Sequence, residues 1–296
     1  MITITADLVK QHIGKRKADA HKGDFGRILI AAGKEGMMGA AVICARAAFR
    51  CGAGLVSVAC SRNLFAVVHA GVPEATCVDR DALMAMSREE LAEALSIYDA
   101  VAAGPGIGVS EEAGEFVKKL MDCYGGQLVL DADALNCIAK FGLKSENSSA
   151  DIVITPHAGE AARLLGVSVQ EINDQRCESV KKLADVLGKP CTAVLKGAGT
   201  LVCTENEIYM NTTGNPGMAT GGSGDALTGA FAALVGRLHS GKAAAVCGVY
   251  LHGLAGDIAA AKLGEDGLMA TDIADSLAFA MASLQEQRIG SDRTEI

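Results

Sequence analysis

Five short apolar runs end alike. Ile28 to Ala32, Ala100 to Ala103, Gln127 to Leu130, Ile152 to Ile154 and Thr192 to Leu195 each stop at a glycine or a polar cluster. Apolar at nearly every position, the runs read as strands buried on both faces rather than as half-solvated ones. Helix-like stretches separate them, among them the Ala-rich Gly39 to Gly52, then Ser110 to Cys123, Gly159 to Leu165 and Ser168 to Leu187. Strands alternating with helices specify an α/β fold: a doubly wound, mostly parallel sheet flanked by helices. Ligands in such folds sit beyond the carboxyl ends of the strands, so five polar strand ends point at one crevice.

The remaining elements complete this pattern. Ala6 to Ile13 and Leu64 to Ala70 read as short helices, and Leu55 to Cys60 and Glu74 to Val78 as strands. Ser87 with Glu90 three residues on opens a helix to Leu95 with a capping box. Thr200 to Cys203 and Glu207 to Met210 form a hairpin around Thr204-Glu205-Asn206. Gly224 to Leu238, Lys242 to Lys262 and Ala270 to Gln285 are C-terminal helices. No Pro/Ser-rich linker interrupts the chain. We therefore expect one domain over residues 1–296, with an opening segment at 1–22 and a frayed tail at 289–296.

Composition excludes several classes. The net charge is −8 and no basic run is present, which argues against nucleic acid as a partner. Ten cysteines are scattered through apolar segments with no C-x-x-C pair, as reduced core residues of a cytoplasmic protein would be. No secretory signal opens the chain. The apolar stretch Ala243 to Ala261 carries His252 and Asp257 and reads as too polar to span a membrane.

The densest chemical signal is Asn215-Pro216-Gly217-Met218-Ala219-Thr220-Gly221-Gly222-Ser223-Gly224-Asp225, which runs straight into an apolar helix. Free amides at a helix start form a site for a phosphate or a developing anion. Asp225 there is either an ordinary helix cap or a base that takes a proton from an attacking hydroxyl. Four further clusters sit at strand ends. Gly33 to Ala41 is either a plain turn or, through Ala40 and Ala41, a place where a flat ligand meets the backbone. Gly104-Pro105-Gly106-Ile107-Gly108 is a rigid loop with exposed amides. His157, near a helix start, tends to be neutral and able to hydrogen-bond a ligand. Lys196-Gly197-Ala198-Gly199-Thr200 offers a point charge for phosphate or is an ordinary turn. Asp131 is a candidate support for hydrated magnesium or for substrate, and Asp133 a cap.

Taken together, Lys22 to Gly26, Met38 to Ala41, Gly52 to Val56, Gly104 to Gly106, Asp131 to Leu135, Pro156 to Glu160, Lys196 to Ala198 and Gly214 to Asp225 resemble the ADP/ATP-dependent NAD(P)H-hydrate dehydratases, over about Lys22 to Gln285. The resemblance implies a ribokinase-like fold and the repair of hydrated NADH and NADPH (NADHX and NADPHX). ADP or ATP phosphorylates the 6-hydroxyl of the S epimer, and phosphate is then eliminated. It implies roles as well. Asp225 is the base, Gly222, Ser223 and Gly224 form the anion hole, and Lys196 to Thr200 with Gly224 hold the nucleotide. Ala40 or Ala41, Gly104 or Gly106, His157 and Asp225 line the hydrate site. Magnesium (Mg2+) bridges the phosphates, and a homotetramer is expected. Many relatives carry a preceding epimerase domain. The first strand here begins near Gly26, so a separate epimerase is expected as functional partner. The rivals are a kinase of a small vitamin-precursor alcohol and a non-catalytic nucleotide-binding sensor, which would have no need of Asp225.

Overall fold

The computed structural model describes residues 1–146, 148–205 and 207–286. Ten strands form one sheet: β1 (Ile2–Thr3), β2 (Arg27–Ala31), β3 (Leu55–Cys60), β4 (Thr76–Asp79), β5 (Ala100–Ala103), β6 (Gln127–Leu130), β7 (Asp151–Ile154), β8 (Thr192–Leu195), β9 (Leu201–Thr204) and β10 (Glu207–Met210). Their order is β1-β10-β9-β8-β7-β6-β5-β2-β3-β4. From β8 to β4 every neighbour is parallel, and β9 pairs antiparallel on both sides. The chain therefore reverses its direction of travel beside β2: β3 and β4 extend one way, β5 to β8 the other.

Period-two alternation divides the sheet residues between two cores. Ile28 and Ile30 enter one, with helices Met38–Arg50, Ser223–Leu238, Gly241–Leu263 and Ala270–Glu286; Leu29 and Ala31 enter the other, with helices Glu111–Cys123, Asp133–Phe141, Ala158–Leu165 and Arg176–Ala184. Both faces are covered, which explains why the strand sequences do not alternate. Helices 38–50 and 223–238 cross so closely that a Cβ at Gly229 would lie 2.1 Å from the Cys44 carbonyl oxygen. Only a glycine fits there.

Three expectations change. The stretch Ser168 to Leu187 is two helices, Val169–Asp174 and Arg176–Ala184, broken at Gln175, whose backbone leaves the helical region (φ −126°, ψ 45°). The break lets the Arg176 guanidinium donate to the Leu195 carbonyl at 3.1 Å. The opening segment contributes β1 to the sheet edge as well as a helix at Ala6–His12. Helix Gly241–Leu263 does have the length and mean hydropathy (1.4) of a membrane span, contrary to the sequence reading; 67% of that apolar window is buried inside the fold, so packing accounts for its composition. Residue Asn206 of the expected hairpin turn and the expected frayed tail at 289–296 lie outside the described residues.

Candidate active site

The parallel ladder continues one step past the strand ends and sets the site residues in a row. The Gly104 amide donates to the Ala31 carbonyl, the Asp131 amide to Ala103, the Thr155 amide to Leu130 and the Lys196 amide to Pro156, at 2.9 to 3.2 Å. Side chains on neighbouring strand ends thus emerge at one level, along one edge of the sheet.

Asp131 and Lys196 meet in that row. The Lys196 ammonium donates to Asp131 Oδ1 at 2.7 Å, and the Thr228 hydroxyl donates to Asp131 Oδ2 at 2.6 Å. Asp131 is 1% exposed. Burial alone would raise its carboxyl, but the Lys196 charge and these hydrogen bonds reverse that and hold it below its ordinary value. Both oxygens are engaged within the protein, so Asp131 is not the free ligand for magnesium or substrate that the sequence allowed. Asp133 accepts the Gly108 amide at 2.8 Å and places no side-chain cap on its own helix. Between the two acids Ala132 has φ 50°, a strained conformation for alanine of about 1–3 kcal/mol, held by the ties on either side.

Helix 223–238 starts at Gly222 in the left-handed region (φ 90°), with no side-chain cap. The Ser223 amide donates to the Thr220 carbonyl at 3.3 Å, and the amides of Gly224 and Asp225 are available to a ligand. Asp225 stands in the first turn and its carboxylate takes no hydrogen bond among the described residues, so the cap reading fails. Burial, then the Asp131 charge, push its titration up to about 6, with Lys196 pulling the other way. A Cβ built at Gly224 would sit 3.4 Å from Lys196 Nζ and 3.9 Å from Asp131 Oδ2. Base, ammonium and free helix amides therefore converge.

A cavity of about 680 Å³ opens beside this point. Lys196 to Thr200, Asn211 to Pro216, Ser223, Gly224 and His252 line it. His157 lines it too, as N-cap of helix 158–165: its Nδ1 accepts the Gly159 amide at 2.9 Å. Burial and the nearby Lys196 charge lower its titration, so the ring is neutral. The structure thus sets His157 on the wall shared with Lys196 to Thr200. Ala40 and Gly106 form a separate cluster at the β2 and β5 ends, where a Cβ on Gly106 would be 3.3 Å from Ala40 Cβ. Ala41 is fully buried in the core against Gly33 and cannot meet a ligand. Gly104 is buried beneath the Asp131 carbonyl, 1.8 Å from where its own Cβ would be, so its glycine serves packing.

A family model described as NAD(P)H-hydrate dehydratase matches residues 28–278. The chain belongs to the NAD(P)H-hydrate dehydratase family. The bifunctional NAD(P)H-hydrate repair enzyme of Moorella thermoacetica is 38% identical over 96% of this chain and 54% of its own length. The chain spans about half the length of the bifunctional relatives it matches. The ADP-dependent (S)-NAD(P)H-hydrate dehydratase of Lactiplantibacillus plantarum is 34% identical over 88% of this chain and 91% of its own. The crystal structure of the Bacillus subtilis ADP/ATP-dependent NAD(P)H-hydrate dehydratase, co-crystallised with ATP/Mg2+, superposes with a TM-score of 0.86 at 29% identity, covering 96% and 99% of the two chains. The fold is ribokinase-like, as expected.

Several supporting residues were not anticipated. Arg176 braces the Lys196 loop from below, its guanidinium 3.2 Å from a Cβ at Gly197. Asp257 accepts the Gly214 amide and the Asn215 side-chain amide, both at 2.9 Å, and so ties the glycine-rich loop to helix 241–263. His252, buried and lowered to about 4, hydrogen-bonds through Nε2 to the Ser223 carbonyl at 2.9 Å. Only Thr228 carried a sequence signal: it follows Asp225 by one helical turn and so shares its face.

Proposed function

We propose that this member of the family dehydrates the S epimer of NADHX and NADPHX, using ADP or ATP. The observation that carries the reading is the unpaired Asp225 carboxylate, raised to about 6, at an uncapped helix start next to the Lys196 ammonium. A carboxylate beside a phosphate site repels the ligand unless it has a proton to take. The 6-hydroxyl oxygen attacks the terminal phosphorus of the nucleotide. Asp225 accepts the hydroxyl proton, and the bond to the leaving ADP or AMP breaks. The free amides at Gly224 and Asp225 hold the equatorial oxygens. Phosphate then departs with the C–O electron pair, and loss of the neighbouring ring proton restores the double bond. Lys196 to Thr200 hold the nucleotide, and Ala40 and Gly106 bound the hydrate.

Magnesium accompanies the nucleotide in this proposal. Among the described residues no group of three or more His, Cys, Asp or Glu has the geometry of a metal cage. An ion carried by phosphate oxygens and water needs none, and when bound it neutralises phosphate charge. An epimerase supplies the S form from the R form. We further assign the protein to the cytoplasm and to a homotetramer; the exposed Leu263, Met269 and Phe279 near the last two helices support self-association.

The test is a recovery assay. Purified protein, hydrated NADH, magnesium and either ADP or ATP are mixed, and reduced nicotinamide absorbance is followed. Nucleotide-dependent recovery limited to the S fraction is expected. Folded protein that restores nothing with either nucleotide would overturn the reading.

A further inference from the structure

Ion pairs buried this deeply are poor stabilisers, because the cost of stripping water from both charges rivals their attraction. The Asp131–Lys196 pair nevertheless lies directly under the proposed transfer site. Its geometry is over-determined. Thr228, from the helix that carries Asp225, donates its one hydroxyl proton to the far oxygen of Asp131 and packs 3.1 Å from the Gly224 carbonyl. Glu160 Oε2 stands 3.8 Å from the ammonium on a third side.

We propose that Asp131 is a positioning residue for phosphoryl transfer: it fixes the Lys196 ammonium beside Gly224 and cancels its charge toward Asp225. The proposal rests on the dehydratase reading and deepens it. A lone ammonium at this spot would hold phosphate well but would also make the neighbouring carboxylate a weaker base. The groups acting on Asp225 are Asp131 and Asp133, which raise it, and Lys196, which lowers it. Cys44, from helix 38–50, donates to the Asp225 carbonyl at 3.1 Å and is kept neutral by burial. His157 and Glu160 bear on Lys196 from helix 158–165 and its cap. With Asp131 neutral, Lys196 dominates, and Asp225 titrates lower.

Asp131→Asn keeps the side-chain shape and removes the charge. Its turnover and its ADP affinity are measured beside those of the wild type, the affinity by calorimetry. We expect kcat to fall at least tenfold, the acid limb of the pH–rate profile to move to lower pH, and ADP to bind as tightly as before or more tightly. Slower turnover with undiminished nucleotide binding is a pattern that mere loss of structure does not give. A kcat within twofold of wild type, or an ADP Kd raised more than threefold, overturns the proposal. If wild-type protein restores no NADH, the dehydratase reading falls, and the ADP affinity of Asp131→Asn then decides the positioning role by the same threshold. If Asp131→Asn does not fold, Thr228→Val carries the test: a fall in kcat of at least threefold with ADP binding retained supports the proposal, and unchanged kcat overturns it.

Discussion

Gly199 and Gly106 share nearly the same left-handed φ, 61° and 66°, in surroundings that have little in common. A Cβ on Gly199 would meet nothing within 4 Å; one on Gly106 would lie 2.9 Å from the Met37 carbonyl oxygen. The first belongs to a wide cavity whose walls are glycine loops and small polar side chains. The second belongs to a packed junction of two loops at the point where the sheet reverses its order. One side of the row of strand ends is built ready for a ligand. The other is closed, and its glycines let backbone meet backbone. Neighbouring glycine-rich loops can thus have opposite purposes, openness at Lys196 to Thr200 and tight contact at Gly106.

The contrast can be attacked directly, beginning where the two sides meet. Asp225→Asn should lower kcat by about 10²- to 10⁴-fold in the recovery assay, the range for loss of a general base, with ADP affinity by calorimetry little changed. Unaltered turnover would remove the join between the two sides. The same variant should be more stable than wild type. A carboxyl raised to about 6 contributes its full stability below the ordinary value of 3.8 and loses it as pH rises through 6. At pH 8 the replacement should therefore gain about 1–3 kcal/mol in urea unfolding, and at pH 3.5 almost nothing.

The glycine pair sharpens the comparison further. Gly106→Ala adds a backbone collision to left-handed strain of about 1–2 kcal/mol. It should lower Tm by several degrees and raise the hydrate KM about tenfold, with ADP binding unmoved. Gly199→Ala carries the strain without the collision. ADP affinity should weaken by about fivefold with the hydrate KM close to wild type, and Tm should fall less than in Gly106→Ala. If both variants gave the same profile, the two sides would not be distinct. The smallest effect is expected for Asp257→Asn, which leaves one anchor of the Gly214–Asn215 loop weakened; a two- to threefold rise in the ADP KM, with kcat preserved, is the outcome to look for.

Much of this arrangement is written plainly in the chain. Apolar runs closed by glycine or a polar cluster locate β2 and β5 to β8, because a strand covered on both faces leaves an unbroken apolar signature. The convergence of Lys196 and His157 follows from parallel order, since both lie just past carboxyl ends of neighbouring strands; the Asp225 helix start reaches them through the loop after β10. Partnership across strands was not legible. Asp131 reads as a free acid until Lys196 and Thr228, far away in sequence, are brought to its two oxygens. Arg176 sits inside what periodicity presents as one long helix, and only the break at Gln175 aims it at the end of β8. Ala41 and Ala40 are adjacent and chemically alike, so which of them faces the core depends on the rotation of helix 38–50.

The edge strand β1 has a consequence for synthesis and for handling. Its partner β10 begins at Glu207, and the Ile4 carbonyl accepts the hydroxyl of Thr212, which borders the cavity at Lys196, at 3.0 Å. Ile2 and Thr3 must therefore wait for Tyr209 and Met210, about 200 positions further along, before they find their place. An affinity tag fused ahead of Met1 would emerge within a few residues of this cavity, so a cleavable tag, or one moved to the other terminus, is the safer choice for any binding assay.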